Sequence, residues 1–151
     1  MKDDIPNIAK QRIAILSPFF YPEPISTGKY NGILASGLAS FGHGVEAICS
    51  HPIYPQWQPE ISDAGLTGVT IHRGGSKLRY PKSAILRRLL LELWFFMYCS
   101  RVLFSRRGQL DKVISIFPPS LFMLAIPKIT AKKLTTIGVV HDLQGVYAKR
   151  D

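Results

Sequence analysis

The feature that most constrains this chain is Arg12-Ile13-Ala14-Ile15-Leu16-Ser17 running straight into a stretch with prolines at positions 18, 22 and 24. A short apolar run without alternation suits a strand buried on both faces, the condition met in a parallel sheet. Repeated prolines exclude a helix over residues 18–26. A helix is expected from Thr27, with Ser26 or Thr27 as its cap. Tyr30, Ile33, Leu34, Gly37, Leu38 and Phe41 recur at helical spacing and predict one apolar face. Gly42 and Gly44 stop that helix, and residues 45–49 form the next strand. Strand, loop, helix and strand make a βαβ unit. In such sheets ligands bind beyond the carboxyl ends of the strands, which directs attention to residues 18–28.

The remaining segments continue the pattern. Residues 50–59 form a second loop rich in proline and aromatics, and residues 69–73 a short strand closed by Gly74 and Gly75. His72 within it reads as a packed strand residue before it reads as a ligand. Residues 83–107 predict the longest helix, about 37 Å at ~1.5 Å per residue. Residues 111–117 predict a strand, 120–134 a helix interrupted at Pro127, and 136–140 a last strand with His141 and Asp142 at its carboxyl end. The expectation is an α/β fold: a Rossmann-like parallel sheet with helices on both faces, after a polar leader over residues 1–11.

Charge and cysteine content narrow the function. Net charge is +9 in 151 residues. Between Lys77 and Arg107 there are eight basic residues and one acid, Glu92, hence +7 in that segment. Basic charge flanking an apolar helix favours an anionic membrane surface or a phosphate-bearing ligand. No nucleic-acid motif accompanies it, so nucleic acid is not expected as a partner. The helix is either wedged against the sheet or interfacial, with Arg87, Arg88, Trp94 and Arg101 as membrane-contact candidates; both can hold on different faces. Its uninterrupted apolar stretch is too short to span a bilayer. Cys49 and Cys99 fit no metal spacing and read as reduced core residues of a cytoplasmic protein.

Several catalytic patterns fail. Gly28-Lys29 is not a P-loop, because Glu23 stands where the first glycine belongs and Tyr30 where the magnesium-binding hydroxyl belongs. Gly42 and Gly44 follow a helix and lead into a strand, the reverse of a dinucleotide fingerprint. No metal site is expected. Gly28 at a helix N-terminus can offer N–H groups to a phosphate or simply ease the start of the helix. His141 and Asp142 can meet a sugar hydroxyl or a developing positive charge, or Asp142 can cap the next helix.

Four groups of residues, taken in order, carry a resemblance: Tyr21-Pro22-Glu23-Pro24, Thr27-Gly28-Lys29-Tyr30, Leu38-Ala39 with Gly42-His43 and Val45, and Pro52-Ile53-Tyr54-Pro55-Gln56-Trp57. Together they resemble the N-terminal domain of family 4 glycosyltransferases of GT-B fold, in the branch that builds exopolysaccharide of the colanic-acid type. The resemblance implies retaining transfer of a sugar from a UDP- or GDP-sugar to a lipid-linked or glycan acceptor, without metal or other cofactor. It assigns Gly28 and Lys29 to the donor phosphates, His141 and Asp142 to catalysis, and Tyr21, Glu23, Tyr54 and Trp57 to the acceptor. It implies a peripheral position on the inner face of the cytoplasmic membrane. One departure bears on the sugar contacts: Gln144, Gly145, Val146 and Tyr147 stand where the branch often has a further acid. Donor-binding groups belong to a C-terminal domain not found in residues 12–151, so this chain is expected to be a truncated, acceptor-side part and inactive by itself. The alternative is a non-catalytic Rossmann-like module that binds a membrane or a partner.

Overall fold

A computed structural model describes residues 9–117, 125 and 134–140. Its elements are β1 (Arg12–Leu16), α1 (Ser26–Ser40), β2 (Gly44–Ser50), β3 (Val69–Gly74), α2 (Ala84–Ser105), β4 (Lys112–Phe117) and β5 (Thr135–Val140). The predicted helix over residues 120–134 lies outside the described residues. The strands form a parallel sheet in the order β3-β2-β1-β4-β5. This is an α/β, Rossmann-like arrangement, and the chain reverses direction across the sheet between β1 and β4.

Burial explains the central strand. Ile13 and Ile15 point to one face and Ala14 and Leu16 to the other, as the period of two requires. On the first face they meet Ala35 of α1, together with Val45, Ala47 and Ile116. On the second they meet Phe95, Cys99 and Leu103 of α2. The helices therefore cover opposite faces, and β1 is apolar from Ile13 to Leu16 because that part touches both cores, while Arg12 at its start is exposed.

The apolar face expected on α1 is corrected by the structure. Tyr30, Ile33 and Phe41 are each more than half exposed, whereas Gly28, Asn31, Gly32 and Ala35 are buried. Leu34 and Leu38 do pack on the core. The helix lies close to the sheet and its loops, and close approach selects small residues over large apolar ones. The cap is corrected too: Ile25 occupies the N-cap position, without a side-chain cap bond. At the other end the glycine stop holds. Gly42 N–H donates to the Ala39 carbonyl and His43 N–H to the Leu38 carbonyl, with Gly42 at φ +85°. That pair of bonds is a Schellman motif, which needs the left-handed conformation glycine adopts without cost.

Helix α2 is apolar on two sides. Leu91, Phe95, Cys99 and Leu103 recur every fourth residue and are buried against the sheet. Leu86, Leu89, Leu93, Met97 and Phe104 form an exposed stripe on another side, about 27 Å long at ~1.5 Å per residue. Among the described residues, no helix is long and apolar enough to cross a membrane. Cys49 and Cys99 are both free and buried, and burial pushes the Cys49 thiol up to about 12. His72 packs within the sheet, its Nε2 2.8 Å from Glu46 Oε2.

Candidate functional site

The strand order switches between β1 and β4, and open α/β sheets generally bind ligands beyond the carboxyl ends of the strands at such a point. The loop leaving β1 begins there. Ser17 N–H continues the ladder to the Ile48 carbonyl at 3.1 Å, and the Ser17 hydroxyl turns back to the Phe19 carbonyl at 2.8 Å. The buried Asn31 amide of α1 donates to Ser17 Oγ and to the Phe19 carbonyl, both at 2.9 Å. A polar residue inside the helix thus fixes the path of the chain out of β1.

The loop leaving β2 lies beside the first. Ser50 Oγ and N–H both donate to the Pro18 carbonyl. Glu23 crosses from the first loop to the second: its carboxylate accepts from Ile53 N–H at 3.0 Å and from Tyr54 N–H at 2.5 Å. Arg73 at the end of β3 completes the tie. Its Nη2 donates to the Tyr21 carbonyl at 2.6 Å and the Ala64 carbonyl at 2.8 Å, and its Nη1 reaches Cys49 Sγ at 3.6 Å. His51 accepts from Ser62 N–H through Nδ1, which requires that nitrogen to be unprotonated. Burial and the neighbouring Arg73 cation lower the His51 pKa and so favour that form.

Trp57 forms the aromatic corner of the rim. Its ring makes edge contacts with Phe19 at 6.3 Å and Tyr80 at 5.7 Å between centroids. The Arg87 guanidinium stands 4.2 Å from its centroid, a cation–π contact between the second loop and the first turn of α2. The Tyr80 hydroxyl is buried without a hydrogen-bond partner among the described residues, and burial raises its pKa.

The residues singled out in the sequence fall into distinct places. Tyr21, Glu23 and Lys29 line one groove of about 980 Å³ along α1, with Pro24, Ile33 and Leu66 as apolar walls. Tyr54 and Trp57 belong to the second loop, joined to the first through Glu23. Glu23 is 3% exposed, so it faces inward, while Tyr21 and Tyr54 are exposed. Gly28 is buried under Glu23: a Cβ there would stand 2.7 Å from Glu23 Cβ. Of the α2 candidates, Arg87 turns to Trp57 and Arg88 pairs with Glu92 at 3.1 Å. Trp94 stacks on Tyr98 at 5.3 Å, against the turn after β3, and Arg101 is exposed. His141 and Asp142 lie outside the described residues. Asn31 and Arg73 were not legible as site residues, because their partners are carbonyls of distant loops. Among the described residues no group of three or more His, Cys, Asp or Glu side chains is placed to hold a metal ion.

Against known proteins, the chain is 29% identical over 138 residues to the Escherichia coli (strain K12) protein WcaI, which is named as a colanic acid biosynthesis glycosyl transferase. It is similar to a glycosyl transferase. The match covers 86% of this chain, which spans about a third (33%) of that relative's length. No family model matches the chain.

Glu23 gives the rim a pH signature. Burial outweighs the two N–H donors and the Arg73 cation, so its carboxyl titrates above the ordinary 4.5. The folded chain then holds this proton more tightly than the unfolded chain. The corresponding stability is complete below pH 4.5 and is lost as pH rises through the folded value. Glu23→Gln does not titrate, so wild type is expected to lose stability relative to it across that window. Urea midpoints of both proteins at pH 4 and pH 8 measure the difference.

Proposed function

We propose that this chain is the acceptor-side part of a retaining glycosyl transferase of family 4 and GT-B fold. It would move a sugar from a UDP- or GDP-sugar to a lipid-linked or glycan acceptor in exopolysaccharide or cell-envelope synthesis. The observation that carries the proposal is the 29% identity to a glycosyl transferase across 86% of the chain. Support comes from the rim: exposed Tyr21 and Tyr54 on loops at the carboxyl end of the sheet, and an apolar groove with Lys29 on its wall. In this reading Gly28 and Lys29 serve the donor phosphates from the start of α1, and Tyr21, Tyr54 and Trp57 face the acceptor. The same reading assigns His141 and Asp142 to the transferred sugar and the donor to a second, C-terminal domain. The departing diphosphate takes the acceptor's proton on the same face while fixed dipoles stabilise the charge. The test is an assay of the protein joined to its donor domain, supplied with UDP-glucose or GDP-mannose and a bacterial lipid extract. Nucleoside diphosphate release that depends on the extract is the expected result; no release with any nucleotide sugar would refute the proposal.

The exposed stripe of α2 fits a peripheral position on the inner face of the cytoplasmic membrane. Leucines at 86, 89 and 93 would enter the interface, with Arg101 beside them toward anionic headgroups. The same stripe favours the rival reading, a non-catalytic module that binds a membrane or partner. Co-sedimentation with phosphatidylglycerol vesicles is expected to fall several-fold in Leu89→Ser/Leu93→Ser. Burial of three leucines at ~1.5–3 kcal/mol each would otherwise hold the chain there. Equal sedimentation of both proteins would remove the stripe from the membrane.

A further inference from the structure

We infer that Glu23 is a positioning residue, which holds the Tyr54 loop against the Tyr21 loop through its carboxylate oxygens and acts without touching the acceptor. The inference rests on the glycosyl-transfer reading for what the loops hold, and on geometry alone for how they are held.

Glu23 is fixed at every polar group it has. Its N–H donates to the Phe20 carbonyl and its own carbonyl accepts from Ile25 N–H, both at 2.9 Å. Its side chain crosses 30 positions of sequence to reach Ile53 N–H, with Oε1 at 3.0 Å and Oε2 at 3.2 Å, and Oε1 also accepts from Tyr54 N–H. The first turn of α1 closes over it at Gly28, near enough that one added methyl would collide with Glu23 Cβ and with its carbonyl oxygen at 2.9 Å. A side chain 3% exposed and walled in this way has no room to swing out to a sugar.

Its bonds fix the backbone that carries one of the two exposed rings instead. Tyr54 is held at its own N–H by Glu23, and Tyr21 at its own carbonyl by Arg73. A carboxylate and a guanidinium therefore define how the two loops present their aromatic side chains. What this duty requires is an acceptor oxygen at the right place. Charge is not required, and burial opposes it.

Glu23→Ala and Glu23→Gln separate the two roles, because the glutamine amide oxygen placed at Oε1 accepts from both Ile53 N–H and Tyr54 N–H while lacking the charge, and only the longer Oε2 bond is lost. Hydrogen exchange at Ile53 and Tyr54 and the Kd for a polyprenyl-diphosphate-linked monosaccharide are measured in each, with β1 amides as the folding control. In Glu23→Ala, exchange at the two amides is expected to rise and affinity to fall, each by about tenfold, the scale of one lost hydrogen bond. Glu23→Gln is expected to restore both. Should the alanine variant lose β1 protection as well, Glu23→Asp, one methylene shorter, takes its place. Unchanged exchange in the shortened variants would overturn the inference. So would a glutamine variant with restored exchange and affinity as poor as alanine's, because the charge would then be contacting the ligand. If wild type binds no acceptor yet exchange follows the expected pattern, the brace stands and the glycosyl-transfer reading fails.

Discussion

Gly28→Ala is expected to lower the melting temperature by up to roughly 8 °C, although alanine is the better helix former by about 1 kcal/mol. The new Cβ would meet Glu23 Cβ at 2.7 Å and the Glu23 carbonyl oxygen at 2.9 Å, with the Phe20 carbonyl oxygen at 3.3 Å. Two of these three atoms are backbone, held by the turn bonds of residues 20–25. None is the free end of a flexible side chain, so the helix start and the loop must part. Overpacking of this kind costs about 1–3 kcal/mol, which outweighs the propensity gain. Because Glu23 moves with the loop, exchange at Ile53 and Tyr54 is expected to quicken in the same variant. A melting temperature equal to or above that of wild type would show that the loop yields freely.

Phe95→Ala is expected to be the most damaging single truncation among the described residues. The ring is fully buried where α2 meets Ala14 and Leu16 of β1 and Val113 of β4. It is the largest of the buried side chains that the helix contributes. Large-to-small changes at such a site cost about 3–5 kcal/mol, a large share of the roughly 5–15 kcal/mol that holds a domain folded. Met97→Ala, two positions on and 55% exposed, is the control, with an expected change within about 0.5 kcal/mol. Urea denaturation of the two variants beside wild type measures both. Comparable losses would mean that the exposed stripe of α2 is covered in solution.

How far these features were legible in sequence follows from the range of each interaction. β1 was plain because a strand buried on both faces must be apolar at every position. The glycine stop of α1 was equally plain, since its bonds close within six residues. The buried face of α1 was misread. Apolar periodicity gives weight to Tyr30, Ile33 and Phe41, whereas this helix meets the sheet and loops through Gly28, Asn31, Gly32 and Ala35. Hydrophobicity carries no signal for a contact whose requirement is smallness, or for an asparagine turned inward to bind Ser17 and Phe19.

The site shows the same division. The two proline- and aromatic-rich loops stood out at the strand ends, and the sheet does place both at its carboxyl edge. What joins them was invisible. The partners of Glu23 lie 30 and 31 positions away, and Arg73 reaches Tyr21 across 52. Arg87, read from its neighbours as one charge of a basic helix, is taken up by Trp57 once the chain folds. Pairings of this length depend on strand order, which no local pattern encodes.

The most direct test of where the acceptor is held is hydrogen exchange across the whole chain, with and without a polyprenyl-diphosphate-linked monosaccharide. The expected result is slowed exchange at residues 19–29 and 51–57, with α2 beyond its first turn and β3 unchanged. Protection absent from both loops, or confined to the exposed stripe of α2, would contradict an acceptor site on this rim.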